Sequence, residues 1–148
     1  MSIIDDIRTA SFIARKNRES DRAASLITLL SETLMIGKNA GRDTTNAETI
    51  AVIKKFIKNI DETLSLGKFA PGDPRAVNLI NEKSMYTTFL PKQLNETEIH
   101  AILVDILKVN AFDVTSKSMG DMLKILKLNY EGQYDGATAA RLAKEIVA

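Results

Sequence analysis

The side chains best suited to acid–base or metal chemistry are few and scattered in this sequence. His100 is the single histidine, and because no second ligand follows it at metal-binding spacing, we assign it no role. The carboxylate pairs at 5–6, 61–62 and 96/98 are explained by helix capping, the helix dipole or solvation. The chain has no cysteine, phosphate-binding loop, dinucleotide fingerprint or Gly-x-Ser-x-Gly elbow. We therefore expect no catalytic residues, no metal site and no cofactor.

Basic side chains carry a stronger signal, because lysines at regular helical spacing can contact phosphate groups. Three lysines recur at intervals of seven and three residues, which places them on one face of a predicted helix, with Asp121 between them. Such a face is either a solvated surface or a patch that positions a nucleic acid without reading its sequence. These lysines are Lys117, Lys124 and Lys127; the other basic groups are Arg8, Arg15, Lys16, Arg18 and Arg22, and Lys54, Lys55 and Lys58.

The composition predicts a soluble intracellular protein without a large basic surface. The net charge is +1; residues 1–92 hold 14 Lys/Arg and 11 Asp/Glu (net +3), and residues 93–148 hold 6 and 8 (net −2). Any nucleic-acid binding must therefore be local. The N-terminus lacks the pattern of a signal peptide, and no apolar run approaches the roughly 20 residues that span a bilayer. We expect a cytoplasmic protein with no membrane partner.

A proline near the middle of the chain divides the predicted helices into two groups. Pro91 has no N–H and disfavours the α conformation in the residue before it, so a helix arriving there must end. Asn95 is a good N-cap, and Glu98 completes a capping box that starts a new helix. We therefore predict an N-terminal helical domain over 1–92 and a smaller three-helix domain over 93–148.

Apolar residues spaced by three and four predict four helices before this proline. The first spans about 3–15, and Ser20 caps the second, whose end is flanked by Gly37 and Gly41.

Four methionines at helical positions in the chain are predicted to fill the core. They are Met35, Met85, Met119 and Met122.

The third helix has the clearest amphipathic pattern. Thr45 and Glu48 form a capping box at its start, and Gly67 ends it. The fourth helix opens with an aspartate N-cap followed by proline at the first helical position. These are Asp73 and Pro74, and the face that we predict to pack carries Val77, Ile80, Ser84 and Thr87 or Thr88.

Three shorter helices follow the proline, and no β-alternation is seen, so the predicted fold is all-α. They span about 96–109 and 116–128, and a third begins after an N-cap at Asp135. A turn-rich segment before the last helix holds Tyr130 and Tyr134. These tyrosines either stack on bases or a partner, or tether the loop through their hydroxyls.

Four segments of this sequence occur in the order and spacing of the GatB/YqeY family. They are Gly-Arg-Asp-Thr at 41–44, Phe-Leu-Pro-Lys-Gln-Leu at 89–94, Ser-Met-Gly-Asp-Met-Leu at 118–123 and Gly-Gln-Tyr-Asp-Gly-Ala at 132–137. The chain resembles free-standing YqeY-like proteins over essentially its whole length. The Leu-Pro-Lys-Gln-Leu segment and the Met-Gly pair are the most specific parts of this resemblance.

The resemblance implies a helical N-terminal domain followed by a three-helix domain similar to the tail of the tRNA-dependent amidotransferase B subunit. In that enzyme the tail engages tRNA, while glutamine hydrolysis, ATP use and amide transfer take place elsewhere. The label attached to the family is carbon–nitrogen ligase activity with glutamine as amido donor. For this chain the resemblance implies a tRNA-associated accessory module without catalytic activity of its own.

Individual residues match the family pattern position by position. Gly120 matches a helix glycine, and Gly132 matches the glycine of the last interhelical turn. We expect structural roles for both, a close backbone approach at Gly120 and a positive φ at Gly132, as well as for Pro91. Asp121 stands where the family commonly has a lysine. The candidate phosphate contacts are Lys117, Lys124, Lys127, Arg141 and Lys144.

The sequence leaves three functional hypotheses, which differ in the partner they require. The first is a non-catalytic module that binds tRNA. The second is a helical protein–protein interaction module without nucleic-acid binding. The third, an independent amidotransferase-type enzyme, ranks last because the sequence shows neither a nucleophile nor a nucleotide site.

Overall fold

Seven α-helices make up the regular structure of the part of the chain that the structure describes. The computed structural model describes residues 2–148, and over this range it contains no strand, which confirms the all-α prediction. None of these helices combines the length and hydrophobicity needed to cross a bilayer. The helices are α1 (Ile3–Lys16), α2 (Ser20–Ala40), α3 (Asn46–Leu66), α4 (Pro74–Thr87), α5 (Glu96–Val109), α6 (Ser116–Tyr130) and α7 (Gly136–Val147).

The chain divides into two compact units, one ending at Leu90 and the other beginning at Pro91. In the first unit α1 packs on α2, and α3 packs on both α2 and α4. In the second unit α5, α6 and α7 pack against one another. Each unit has its own apolar core, with Ile7, Leu26, Leu29, Ile53 and Tyr86 buried in the first and Ile99, Leu103, Met122, Leu126 and Ala139 buried in the second.

The predicted helix starts are confirmed wherever a short polar side chain caps the backbone. The Thr45 hydroxyl accepts from the N–H of Glu48, and the Glu48 carboxylate accepts from the N–H of Thr45 at 3.0 Å. Asn95 and Glu98 form the same reciprocal pair at the start of α5. These bonds satisfy N–H groups that the first turn of a helix leaves unpaired. Asp73 and Asp135 likewise cap α4 and α7.

Three helices end in a Schellman motif, although only one of them uses glycine. The left-handed residue is Gly41 after α2, but it is Arg18 after α1 (φ 59°) and Ala111 after α5 (φ 51°). In each motif the N–H of the residue after the left-handed one donates to the carbonyl of the residue five positions earlier. After α1, for example, the Glu19 N–H donates to the Ala14 carbonyl at 2.9 Å. A side chain with a Cβ is strained in this conformation, so two of the three turns carry a local cost.

The first of these turns explains why one predicted cap is wrong. Ser20 was expected to cap α2, but it is the first helical residue, and Glu19 occupies the N-cap position without a side-chain hydrogen bond. The turn at Arg18 redirects the chain within two residues, so α2 begins one position earlier than the polar sequence indicates.

The packed face of α4 also differs from the prediction. Val77 and Ile80 are 44% and 52% exposed, and the helix instead buries Met85 and Tyr86. The Tyr86 ring meets Phe56 of α3 edge-on, with ring centroids 5.6 Å apart. A large aromatic ring buries more area than Val or Ile, so Tyr86 sets the rotation of the helix. Among the methionines predicted to fill the core, Met35 is half exposed.

The Gly-Arg-Asp-Thr segment closes the corner between α2 and α3. The Thr44 hydroxyl accepts from the Gly37 N–H at 2.9 Å and donates to the Thr33 carbonyl at 2.8 Å. These two groups are four residues apart, which is the spacing of a helical hydrogen bond, so the Thr44 hydroxyl bridges successive turns of α2. Gly37 is therefore a buried helical residue and not a flank of the helix end as predicted.

An arginine and a glutamate complete this corner. Arg42 forms a two-pronged contact with the Glu48 carboxylate, at 2.7 and 3.2 Å. The Arg42 guanidinium and then the Thr45 N–H stabilise the charged carboxylate and lower the pKa of Glu48 to about 2. Arg42 and Thr44 of this segment therefore hold α2 and α3 together.

Candidate nucleic-acid interface

α6 presents three of the candidate phosphate contacts on its solvent-facing side. Lys117, Lys124 and Lys127 are exposed, and none of them forms an ion pair or hydrogen bond with a residue that the structure describes. At 3.6 residues per turn, Lys117 and Lys124 point within about 20° of each other, and Lys127 lies about 60° further round the helix. Their ammonium groups are therefore available to an external anion.

The opposite side of α6 fixes the direction in which the lysines point. Ser118, Met122 and Leu126 follow one another at intervals of four residues, and all three are buried. The Ser118 hydroxyl also donates to the Asp113 carbonyl, which ties down the start of the helix. Because Met122 and Leu126 are enclosed in the core of the second unit, the helix cannot rotate without exposing them.

The lysine face contains three further features. Asp121 projects between the lysines, so α6 carries three positive charges and one negative charge. Leu128 is 77% exposed on the same side. A Cβ built on Gly120 would meet no atom within 4 Å, so the close backbone approach expected there is not found. Gly120 faces solvent and leaves the backbone of this face uncovered.

Arg141 and Lys144 of α7 lie in different environments. The Arg141 guanidinium donates to Glu96 of α5 at 2.6 Å and to Glu145 at 3.0 Å, and these two carboxylates raise its pKa. Lys144 is exposed and has no partner among the described residues. Of the two α7 candidates, Arg141 links α5 to α7, whereas the ammonium group of Lys144 is available.

The segment after the first unit contacts the last interhelical turn. The Gln93 side chain donates to the Gly132 carbonyl at 2.8 Å and to the Pro91 carbonyl at 2.9 Å. The Leu94 N–H donates to the Gln133 carbonyl at 2.6 Å. We call these bonds the 93–133 clasp. The clasp joins two of the segments that resemble the GatB/YqeY family, 89–94 and 132–137. Neither segment predicts this pairing from its own sequence.

Glycine has a specific role in this turn. Gly132 has a φ of 79°, as predicted, and the Gln133 N–H returns to the Tyr130 carbonyl at 3.0 Å. Tyr130 and Tyr134 are partly buried and pack against the core of the second unit. Burial and, after it, the nearby Glu131 charge raise the pKa of Tyr134. Both rings therefore contribute to the core.

The other polar candidates are dispersed. His100 is exposed on α5, and no three His, Asp or Glu residues within 2–148 lie close enough together to hold a metal ion. Lys55 pairs with Glu32 at 2.7 Å, and Lys58 lies 4.0 Å from Glu62. Four basic residues near the α1–α2 turn are exposed and have no partner in the described chain: Arg15, Lys16, Arg18 and Arg22.

These observations define an all-α protein of two helical units, one of which offers a lysine-lined helix face to its surroundings. The chain matches the family model described as Yqey-like protein over residues 4–147, and it belongs to that family. The resemblance seen in the sequence is thereby confirmed. A comparison with curated proteins returned no match. The relation to the amidotransferase and to tRNA stays a prediction.

Proposed function

We propose that this protein is a non-catalytic, tRNA-associated accessory module that contacts the phosphate backbone through α6. The observation that supports the proposal is that three unpaired lysines, at 117, 124 and 127, lie on one face of a single helix, in a segment that is net negative overall. Several other exposed cations are either neutralised by carboxylates, as Lys55 is by Glu32, or unpaired but on separate elements, as Lys38, Lys68 and Lys108 are. Cations that lack partners within their own chain are available to phosphate.

The layout of the face favours phosphate contact over base recognition. Lysine offers a flexible point charge, which suits phosphate, and the face carries no arginine, asparagine or glutamine that would read a base edge. Asp121 lowers the local charge, so the expected affinity is modest, and because the contacts are electrostatic it should fall as the salt concentration rises. Gly120 lets a sugar–phosphate chain approach the helix backbone between the lysines.

The test measures the affinity for unfractionated tRNA as a function of salt. Each phosphate contact contributes to the slope of log K against log salt, so changing Lys117, Lys124 and Lys127 together to alanine should lower the slope by roughly 2 to 3. The affinity should fall to a similar extent for different tRNAs. A control variant loses the same charge at three exposed, unpaired lysines elsewhere: Lys38, Lys68 and Lys108.

Two outcomes would overturn the proposal. The first is undetectable tRNA binding at low salt. The second is an equal loss of affinity in both triple variants, because that would reflect net charge and not a defined face.

A protein–protein interaction module is the second candidate, and one observation favours it. Val77 and Ile80 of α4 are about half exposed one turn apart, where the sequence predicted a packed face. Exposed apolar pairs of this kind can mark a protein contact. A pull-down that identifies both nucleic acids and proteins separates the two functions. A protein partner lost on V77S/I80S substitution, with no tRNA recovered, would support the second.

A further inference from the structure

The first unit contains two adjoining cavities, a smaller one between α2 and α4 and a larger one lined by α2, α3 and α4. Their volumes are about 390 and 510 Å³, within the range of small-molecule sites. Ser25 of α2 and Glu82 of α4 line both cavities. The space exists because α4 packs mainly against α3 and leaves its other side open towards α2.

The smaller cavity is rich in hydrogen-bond acceptors. On α4, Asn78 and Glu82 are one turn apart, and Asn81 lies beside them. The side-chain amides of Asn78 and Asn81 have no partner among the residues that the structure describes. Met85 provides an apolar wall, and Asp21 contributes a second carboxylate from α2. Two carboxylates face a single cation at this cavity, Arg22, so its net charge is negative.

Glu82 is the residue that makes this cavity a candidate site. Its carboxylate accepts a hydrogen bond from the Tyr86 hydroxyl at 2.6 Å and forms no ion pair with any residue between 2 and 148. Burial, followed by this hydrogen bond, raises the pKa of Tyr86, so the phenol stays protonated and donating. A partly buried carboxylate is normally balanced by a cation. Glu48 and Glu32 in the same unit have such partners.

We propose that this cavity binds a small aliphatic amine through its ammonium group. An ammonium has three donors and no acceptor, and the residues that line the cavity include Glu82, with a carboxylate, and Asn78 and Asn81, each with an amide oxygen. A short carbon chain would lie against Met85. The charge excess of the two carboxylates over Arg22 favours a cation over an anion of the same size.

Isothermal titration calorimetry with 1,4-diaminobutane tests this proposal on the full chain. We expect saturable binding, and no heat from 1,4-butanediol, which has the same carbon chain without charge. Glu82→Gln keeps an acceptor for Tyr86 and removes the charge, so it should weaken binding about ten- to a hundred-fold. Glu62→Gln is the matched control, because Glu62 is exposed on α3 and lines neither cavity.

A second variant keeps the proposal testable if Glu82→Gln does not fold. Asn78 is exposed, so Asn78→Leu should fold normally and weaken diamine binding several-fold. Nuclear magnetic resonance should place the diamine-induced shifts on Ser25, Glu82 and Tyr86. Absence of binding at millimolar diamine, equal affinity of folded Glu82→Gln and Glu62→Gln, or shifts confined to other surfaces would each overturn the proposal.

Discussion

Two helix glycines form a matched pair for which opposite effects on stability are expected. Alanine is more favourable than glycine inside a helix by about 1 kcal/mol, so either substitution would stabilise an isolated helix. At Gly120 a Cβ meets open space. At Gly37 it would lie 2.6 Å from the Arg42 carbonyl oxygen and 2.6 Å from the Thr44 hydroxyl, and closer still to the Thr44 nitrogen. Two of these three atoms belong to the backbone and cannot rotate away.

The magnitudes follow from these contacts. Gly120→Ala should raise the free energy of unfolding of the second unit by about 0.5–1 kcal/mol. Gly37→Ala gains the same propensity but adds roughly 1–3 kcal/mol of overpacking and loses two hydrogen bonds of about 1 kcal/mol each. The first unit should therefore lose roughly 2–4 kcal/mol. The opposite signs of the two changes in unfolding free energy test the structure more sharply than the size of either change.

Urea titration followed by nuclear magnetic resonance measures both changes, because resonances from each unit report its own unfolding. Thr44→Val serves as a control that removes the hydroxyl while preserving the side-chain shape. It should destabilise the first unit by about 1–3 kcal/mol, since the Gly37 N–H and the Thr33 carbonyl lose their bridge. If Gly37→Ala were neutral or stabilising, the account of Thr44 as a bridge packed closely against Gly37 would be refuted.

Three further predictions concern the helix ends and the charged pairs. Arg18→Gly and Ala111→Gly should each stabilise their own unit by roughly 1 kcal/mol in urea titration, because glycine relieves the left-handed strain, and no gain would contradict that strain. The pKa of Glu48 is lowered from 4.5 to about 2, so its stabilising effect is present above pH 4.5 and lost towards pH 2. Thermal melts should show a weaker acid dependence in Glu48→Gln over that range. Arg141→Ala should lower the melting temperature at low salt but not in ~1 M salt, and an equal loss in both would indicate a packing role instead.

Features encoded by neighbouring residues were predictable from the sequence. The capping boxes at Thr45 and Asn95 depend on two side chains three residues apart, and both form as predicted. The span predicted for α5 also agrees with the structure, because a capping box starts the helix and its apolar spacing continues to Val109. Local hydrogen bonding decides these features, so the local sequence suffices.

Features that depend on distant contacts were not predictable in the same way. The packed face of α4 is decided by the fit of Tyr86 against Phe56, which lies 30 residues away in the sequence. The role of Gly37 depends on Thr44 reaching back across a loop. Residues in the left-handed conformation are usually glycine. The sequence therefore did not indicate that the helices before Arg18 and Ala111 end in left-handed turns.

The candidate interface was predictable only in part. Seven-residue spacing correctly indicated that Lys117 and Lys124 share a face. Spacing did not indicate that Arg141 is held by Glu96 and Glu145, because one of these carboxylates belongs to another helix. Whether a surface cation is available is decided by three-dimensional neighbours, which a list of basic residues does not contain.

The 93–133 clasp sets an order of events during synthesis of the chain. Its donor at Leu94 leaves the ribosome 39 residues before its acceptor at Gln133. At about 5–20 residues per second, the segment waits roughly 2–8 s for its partner. The first unit already has all its helices by then and can fold while translation continues. During that interval the apolar side of α5 is uncovered, so the unfinished second unit is open to chaperones and to aggregation.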